Sequence, residues 1–318
     1  MTDIQPRVSI GLPVFNGENY LTEAISSVLN QTFTDLELVI CDNASTDRTH
    51  AICCEYAAAD QRVRYIRNES NIGAAKNYNL VWEKSTGTYF KWLAHDDRLL
   101  PGYVAATVAA LEHDPGVVLC NSVVDYIDQF GSHLGLYRSV ITQAGHQEPA
   151  KRLAAIILRL HTCVDFFGMM PRAAMQNSLL HQAFRGSDRA FLAQMALRGK
   201  FLQIEEPLVQ MRQHPQQYSQ LKDVRSQVAW QDPERGLKTE LSIITLYRVY
   251  RQLVETENLT DADRRACRRV LKRFWLQGWT AARLIAELVS VPFPRAASIC
   301  RDVAIKLRFP GAPKDFLR

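Results

Sequence analysis

The chain has 318 residues, of which 47% are hydrophobic and 22% are charged, an ordinary composition for a soluble globular protein. No window approaches the ~18 uncharged apolar residues of a membrane span, and the N-terminus lacks the basic and apolar segments of a signal peptide. The seven cysteines form no C-x-x-C pair and fit no disulfide framework. We therefore expect a cytoplasmic protein with reduced thiols and no zinc site.

The net charge of +5 is unevenly distributed along the chain. From Arg264 to the C-terminus, 13 Lys and Arg residues stand against three acidic residues. The rest of the chain is therefore acidic overall, and the basic balance belongs to the C-terminal region.

Strand and helix patterns alternate through the first hundred residues, which predicts a parallel, doubly wound sheet in an α/β fold. Apolar residues at period two, or in short runs bounded by turns, predict the strands. The predicted strands are Val8–Leu12, Leu36–Cys41, Val63–Ile66 and a fourth that begins at Tyr89, and the helices between them are 18–30, 49–59 and one through 79–81. Further on, a helix is predicted at 103–114, a strand at 116–128, and helices at 241–254 and 261–277.

The carboxyl ends of parallel strands meet at one edge of a sheet, where ligands usually bind. Here that edge would carry Asn16, Asp42, Gly73 and the pair Asp96 and Asp97. Two adjacent carboxylates after a buried strand are costly unless they face a cation or a solvated cleft. They fit either a divalent cation with a phosphate partner or the capping of a helix that begins near Pro101.

Glycine-rich phosphate loops are absent from the chain. The turn after the first strand reads LPVFNGEN, which is no G-x-G-x-x-G motif, and there is no P-loop. A cation held by carboxylates would then have to bind the phosphates.

Four segments occur in a fixed order: VSIGLPVFNGENYLTEAISSVLNQTFTDLELVICDNASTDRT, NIGAAKNYN, KWLAHDDRLLP and FRGSDRAFLAQMALRGKF. Together they resemble the motif series of glycosyltransferase family 2, over roughly the first 220 residues. The resemblance implies a GT-A fold, a nucleotide-sugar donor and a requirement for Mg²⁺ or Mn²⁺. It also implies a catalytic domain at 1–221 and a basic, mainly helical region at 222–318.

The resemblance implies donor-binding roles for residues in the first three motifs. The residues matched to the nucleoside pocket and the donor loop are Pro13, Val14, Phe15, Glu18, Asp42, Asn43, Gly73, Lys76 and Asn77. Asp42 matches the acid that hydrogen-bonds the base, and a carboxylate suits the N3–H donor of uracil. UDP is therefore the expected nucleotide, with dTDP and GDP as alternatives. Lys76 stands where the family usually has arginine, which keeps the charge and loses bidentate geometry.

The acidic pair matches the family's D-x-D motif in a reduced form. Asp96 matches its last acid, whereas Ala94 replaces its first. The resemblance implies that Asp96 contacts the metal and that Asp97 either assists it or caps the following helix. His95 either faces the ribose or is a structural histidine at the end of the strand.

Asp188 matches the catalytic base of the family, and Ser187 replaces the glutamate that usually precedes it. The alternative is that Asp188 only caps its helix. The segment PLVQMRQHPQQYSQ resembles the family's Arg-x-His segment. In it, Arg212 would neutralise the donor diphosphate, and His214 would be a further metal ligand or a loop contact.

The C-terminal segment RRACRRVLKRFWLQGW interleaves basic residues with Phe and Trp. Such a helix either binds a membrane surface, here through 264–293, or packs on the catalytic domain or a second subunit. Membrane contact would suit a glycan acceptor that is linked to a lipid. No nucleic-acid module is visible.

The expected function is an inverting, metal-dependent glycosyltransferase acting in the assembly of a surface polysaccharide. An inactive nucleotide-sugar-binding protein is an alternative, because both the D-x-D motif and the Glu-Asp pair are altered. A sugar-1-phosphate nucleotidyltransferase is less favoured, since it would need a glycine-rich basic loop after the first strand.

Overall fold

The computed structural model describes residues 5–139, 144–159, 161–217, 230–232 and 241–290. Within these residues the strands are β1 Val8–Val14, β2 Leu36–Asp42, β3 Val63–Arg67, β4 Tyr89–Trp92, β5 Arg98–Leu99, β6 Val117–Ile127, β7 His133–Tyr137, β8 Met170–Pro171 and β9 Lys200–Arg212. The helices are α1 Leu21–Leu29, α2 Thr49–Ala59, α3 Ala74–Lys84, α4 Tyr103–His113, α5 Pro149–Ile157, α6 Arg172–Met175, α7 Ser187–Arg198, α8 Ser242–Thr256, α9 Asp261–Trp275 and α10 Gly278–Ser290.

Two sheets form the centre of the fold. The first has the order β3-β2-β1-β4-β8, in which the first four strands run parallel and β8 pairs antiparallel with β4. The second has the order β5-β9-β6-β7, with β6 and β9 parallel and the outer pairs antiparallel. The predicted mainly parallel sheet is confirmed. The short connection between β4 and β5 takes the chain from one sheet to the other.

Helices cover both faces of the first sheet, as the doubly wound prediction requires. Alternate residues of β2 point to opposite faces of the sheet. Leu38 and Ile40 belong to the hydrophobic cluster that contains residues of α1, whereas Val39 and Cys41 belong to the one that contains residues of α3. Because side chains alternate along a strand, one continuous apolar strand can build two cores.

The helices after residue 241 pack onto the α5–α7 side of the molecule. The apolar residues of α9 are buried in the same cluster as those of α5, α7 and α8: Cys267, Val270, Leu271 and Phe274. The Phe274 ring lies edge-on to Tyr250 of α8, with centroids 5.8 Å apart. Phe274 is therefore not available to enter a bilayer, and packing against α5, α7 and α8 accounts for the apolar side of this basic helix.

No helix among the described residues is both long and apolar enough to cross a bilayer. The predicted boundary between residues 221 and 222 lies outside the described residues.

Asp165 lies in a short 3₁₀ turn, Val164–Phe167, and is 4% exposed. Its Oδ2 atom accepts a hydrogen bond from the hydroxyl of Ser139. Burial raises the pKa of Asp165 to about 6, although the Ser139 hydrogen bond opposes the shift. The fold therefore favours the neutral carboxyl.

We expect Asp165 to make the protein less stable as the pH rises from about 4 to about 6. The pKa of Asp165 is raised in the folded state, so its neutral form is favoured there and the free energy of unfolding falls as the group ionises. The Asp165→Asn variant should gain up to about 3 kcal/mol relative to the parent between pH 4 and pH 7, at about 1.4 kcal/mol per pKa unit. Urea unfolding at several pH values measures this, and parallel profiles for the two proteins would contradict it.

Candidate active site

The connection between β4 and β5 carries Asp96 and Asp97 at the junction of the two sheets. The end of β9 lies against it, because the backbone N–H of Arg212 donates to Asp97 Oδ1 at 2.9 Å. Two residues later, His214 Nε2 is 2.9 Å from Asp96 Oδ2. The structure thus brings together four of the predicted site residues, with Asp96 and Asp97 in contact with two residues that lie more than 100 positions later in the sequence.

Asp96 is held as a charged group. Burial disfavours its carboxylate, but the hydrogen bond to His214 and the nearby charges of His95 and His214 outweigh burial and lower the pKa of Asp96. Its side chain retains 15% exposure, whereas that of His214 retains 5%. The His214 Nδ1 atom is buried and has no hydrogen-bond partner among the residues that the structure describes.

Asp97 has a different environment. It is 8% exposed, and burial together with the adjacent charge of Asp96 raises its pKa well above the usual range. Its carboxylate receives the Arg212 backbone N–H. Asp97 is therefore part of the support beneath the site, and this geometry does not favour the predicted contact with a metal.

Arg212 is not directed at a donor phosphate. Its side chain is 1% exposed, and Nη2 donates to Glu23 Oε2 at 2.7 Å. Nε donates to the carbonyl oxygen of Asp96 at 3.0 Å, and the guanidinium lies over the ring of Tyr20, 4.4 Å from its centroid. The predicted contact with the diphosphate is not supported, because protein groups already surround the guanidinium. Arg212 fixes the acidic segment instead.

The loops after β1 and β2 are tied to each other by backbone-to-side-chain hydrogen bonds. Asn16 adopts a positive φ of 50°, its N–H donates to Ser45 Oγ, and its Oδ1 accepts from the Thr46 N–H, both at 2.9 Å. Glu18 Oε2 accepts the N–H of Arg48, just before α2, at 2.9 Å. Glu18, predicted to line the nucleoside pocket, thus also fixes the start of α2.

The end of β1 contributes one exposed ring to this edge. Pro13 and Val14 are buried, whereas Phe15 is 43% exposed. A Cβ atom on Gly17 would lie 2.7 Å from the ring of His95, so that only glycine allows this approach. Phe15 therefore remains available to pack on a base, and His95 contacts the β1 loop.

Asp42 is fully buried and holds the ends of β2 and β3 together. Its Oδ1 accepts the Ser45 N–H and its Oδ2 accepts the Tyr65 hydroxyl, both at 2.8 Å. Arg67 Nε lies 3.4 Å from Oδ2. Burial and the Asp42 carboxylate raise the pKa of Tyr65, which keeps its hydroxyl a donor. A bond from Asp42 to a base would have to use the remaining lone pairs of this buried carboxylate, and it stays a prediction.

An asparagine network lies beside Asp42. The Asn43 side chain donates to Asn71 Oδ1 at 2.8 Å and accepts from Asn68 Nδ2 at 3.1 Å. Asn68 also donates to Asn77 Oδ1 at 3.1 Å, and Asn77 Nδ2 donates to the carbonyl of Cys41 at 2.8 Å. Asn43 and Asn77 are each 2% exposed. Both therefore shape the pocket wall, and a direct contact of either side chain with the donor stays a prediction.

The donor loop ends at Gly73, which precedes α3 with φ 84° and ψ 157°. Residues with a side chain rarely adopt that conformation. Lys76 is exposed in the first turn of α3, at the carboxyl edge of the sheet.

Asp188 lies in the first turn of α7, which follows Gly186 with φ 90°. Its Oδ1 accepts the N–H of Arg189 at 2.7 Å, and burial, together with Asp188, raises the pKa of the Cys163 thiol. The Arg189 guanidinium donates to three backbone carbonyls, each at 3.0 Å: those of Ile156, Arg159 and His161. The residue after the predicted base is therefore anchored to the end of α5.

One aromatic pair connects Asp188 to the acidic segment. The ring centroids of Tyr78 and His181 are 5.2 Å apart. Burial raises the pKa of Tyr78, and the charges of Asp96 and Asp97 raise it further. Burial lowers the pKa of His181 against the opposing charge of Asp188. The two acidic positions therefore act on the same pair of rings.

The sequence model of the family described as "Glycosyl transferase family 2" matches residues 9–178, which is more than half of the chain. The chain belongs to glycosyltransferase family 2. The match contains every predicted donor-side residue up to Asp97 and ends before Asp188.

Several family members resemble parts of the chain. An uncharacterised glycosyltransferase of Rickettsia typhi is 34% identical over 127 residues, which cover 39% of this chain and 38% of that protein. A candidate teichuronic acid biosynthesis glycosyltransferase of Bacillus subtilis, TuaG, is 36% identical over 98 residues, 31% of this chain and 39% of that protein. The chain thus spans about two fifths of the length of these relatives.

Solved structures of low sequence identity share the fold. Staphylococcus aureus TarS 1–349 superposes with a TM-score of 0.61 at 15% identity, over 89% of this chain and 80% of that one. The mannosyltransferase PcManGT of Pyrobaculum calidifontis gives 0.51 at 17% identity, over 97% and 82%. These neighbours have the GT-A fold, which confirms the predicted fold class.

Two family positions are altered in this chain, and the structure shows what surrounds each. Ala94 has no oxygen ligand in its side chain, and His214 Nε2 lies 2.9 Å from Asp96 Oδ2. Ser187 is 1% exposed, and its hydroxyl lies 3.3 Å from His181 Nδ1.

The residues of the site could hold a cation only if a phosphate group supplied further ligands. No group of three or more His, Cys, Asp and Glu side chains in the described part of the chain could hold a metal. Asp96 and His214 supply two neighbouring ligand groups. Mg²⁺ is commonly held by one or two carboxylates together with substrate phosphates, a pattern that the Asp96 carboxylate meets and to which His214 would add a nitrogen ligand.

Sequence reasoning missed four residues that position the site: Tyr20, Glu23, Tyr78 and His181. Tyr20 and Glu23 lie in the first motif segment and Tyr78 lies in NIGAAKNYN, so that their place in the motifs was a usable signal. His181 has no such signal, because it lies in a loop between elements.

We expect Arg212→Lys to lower the free energy of unfolding by about 2 kcal/mol, because lysine cannot reproduce the buried guanidinium bonds. Arg98→Lys is the matched control. Arg98 donates to the same Glu23 oxygen at 2.9 Å, but its side chain is 29% exposed, so its loss should stay below about 1 kcal/mol. Urea unfolding of both variants measures the difference, and equal losses would show that Arg212 has no special role.

Proposed function

We propose that the protein transfers a sugar, with inversion, from a nucleoside diphosphate sugar to a hydroxyl of a glycan or a lipid-linked saccharide. UDP is the proposed nucleotide. The observation that carries the proposal is the pairing of Asp96 with His214 at the carboxyl edge of the sheet.

The donor half of the proposal is supported by the place of these residues. The β1 and β2 loops form an interlocked wall beside Asp96, and Phe15 presents an exposed ring there. Structures of TarS have been solved with UDP and with UDP-GlcNAc. That fold-level likeness favours a uridine nucleotide here, and Phe15 would pack on its base.

Asp188 would act as the general base. Its carboxylate takes the proton of the acceptor hydroxyl while the hydroxyl oxygen attacks the anomeric carbon. The bond from that carbon to the donor phosphate oxygen breaks, and the nucleoside diphosphate leaves from the opposite face. One displacement of this kind inverts the anomeric configuration. The anchoring of Arg189 to α5 keeps the first turn of α7, and so Asp188, in place.

A divalent cation, Mg²⁺ or Mn²⁺, would be held by Asp96 and His214. When bound, it would stabilise the charge that develops on the departing diphosphate. Asp96 is suited to this role because its pKa is lowered, so that it carries its charge at neutral pH.

The acceptor is proposed to belong to surface polysaccharide assembly on the cytoplasmic side of the membrane. The printed name of TuaG connects that relative with teichuronic acid biosynthesis.

We expect Asp188→Asn to lower kcat by about 100-fold or more, the usual scale for loss of a general base, and to leave UDP-sugar binding unchanged. Asp261→Asn is the matched control, since Asp261 is an exposed aspartate in the first turn of α9. The rate of transfer or of donor hydrolysis is measured from the amount of UDP released. Full activity of Asp188→Asn would sink the assignment of the base.

We expect Mn²⁺ to bind measurably only when a nucleoside diphosphate is present, because the protein supplies two ligands. Calorimetric titration of Mn²⁺ should give no resolvable heat with the free protein and clear binding with UDP. Asp96→Asn should abolish the second signal. Thermal shifts with UDP-, dTDP- and GDP-sugars identify the nucleotide, since a ligand of the native state raises its stability. Tight Mn²⁺ binding to the free protein would contradict the two-ligand site.

A further inference from the structure

A groove of about 290 Å³ opens between α5 and the end of α9, on the surface of the α5–α7 side. We call it the basic groove. Its lining consists of His146, Lys151, Ala154, Ala155, Leu158, Arg159, Arg273 and Gln277. It is distinct from the site around Asp96 and shares no residue with it.

The lining of the basic groove contains three cations, a histidine and no acid. Arg159 and Arg273 are exposed, and neither forms an ion pair within the described ranges. Lys151 pairs with Glu148 at 2.6 Å, but the two side chains are 55% and 61% exposed. An ion pair that is so exposed to water contributes little free energy. Lys151 can therefore turn toward a stronger anionic partner.

A buried arginine lies directly behind this lining. Arg152 is 5% exposed, and its guanidinium donates to backbone carbonyls only, among them those of His146 at 2.9 Å and Ala196 at 2.6 Å. These bonds fix the turn that carries His146. Within the described residues the Arg152 charge has no carboxylate at ion-pair distance, so it adds a positive potential to the groove.

The basic groove also has an apolar side. Ala154, Ala155 and Leu158 line it, and Leu276, next to the lining residue Gln277, is 84% exposed. Cations beside exposed apolar groups match a ligand that joins an anionic group to a hydrocarbon chain.

We propose that the basic groove binds the diphosphate group of a lipid-linked molecule. Arg159, two residues after the end of α5, and Arg273 of α9 hold the phosphate oxygens with charge-assisted hydrogen bonds. Lys151 adds a third cation, and the apolar wall contacts the first carbons of the lipid.

The basic groove is joined to the predicted base through the backbone. The carbonyls of Ile156 and Arg159, at the end of α5, accept the guanidinium of Arg189, each at 3.0 Å. Arg189 follows Asp188 directly. A lipid diphosphate held by Arg159 would therefore tie the position of the ligand to the turn that carries Asp188. The identification of this lipid as the sugar acceptor rests on the proposed function. The binding of a lipid diphosphate in the basic groove does not depend on that function.

The test compares two double variants of the full chain. Arg159→Gln/Arg273→Gln removes the groove cations, and Arg265→Gln/Arg269→Gln removes the same charge from exposed positions of α9 outside the groove. The probes are farnesyl diphosphate, inorganic pyrophosphate, and vesicles of phosphatidylcholine with or without phosphatidylglycerol. Binding is measured by calorimetry and vesicle sedimentation with a chelator present, so that no metal site contributes.

We expect the parent protein to bind farnesyl diphosphate at least about tenfold more tightly than pyrophosphate, and the groove variant to lose about tenfold or more of that affinity. The outer variant should change less than about twofold. Equal losses in both variants, or no binding by the parent, would overturn the proposal. Groove-dependent binding to phosphatidylglycerol vesicles without binding of farnesyl diphosphate would overturn the assignment to a diphosphate.

Donor binding is followed in the same proteins by the thermal shift that UDP produces with Mn²⁺. Both double variants should keep that shift, because neither changes a residue near Asp96. A lost groove affinity with a retained UDP shift therefore separates failure of this inference from failure of the proposed function.

Discussion

The buried side chain of Arg212 determines where the acidic segment lies. A guanidinium that is 1% exposed must have all its donors close to acceptors, because an unpaired buried charge is very costly. Here the acceptors are Glu23 on α1 and the carbonyl oxygen of Asp96, and the backbone N–H of the same residue goes to Asp97. The last residue of β9 thereby joins the second sheet to the site edge of the first.

This arrangement gives two adjacent carboxylates opposite electrostatic conditions. Asp96 has His214 as a partner and a lowered pKa, while Asp97 is buried and has a raised pKa. Two adjacent negative charges repel each other. The different environments of the two carboxylates therefore favour ionisation of one of them and protonation of the other. The charged member is Asp96, whose side chain remains partly exposed.

The sequence was sufficient for the fold class, because the period-two strands and the order of the motifs both depend on local patterns. It also placed Asp42, Asp96 and Asp188 near the ends of elements. It did not predict the burial of Arg212 and left two roles open for Asp97, since the burial of a charged side chain depends on partners such as Glu23 that lie far away in the chain. The basic C-terminal helix was ambiguous for the same reason: only the packing of Phe274 against Tyr250 decides which side of α9 faces inward.

The shared core of α5, α7, α8 and α9 bears on how this enzyme family can be recombined. A region that is joined to the rest of the chain only by a linker, without packing against it, can be exchanged between relatives as a module. Here Phe191 and Met195 of α7 belong to the same cluster as Leu246 of α8 and Val270 of α9. A chimera that takes its C-terminal helices from another member would bring a foreign surface against the helix that carries Asp188. The C-terminal region and the helix that carries Asp188 are therefore coupled through one core, and a graft between relatives has to include the matching faces of α5 and α7.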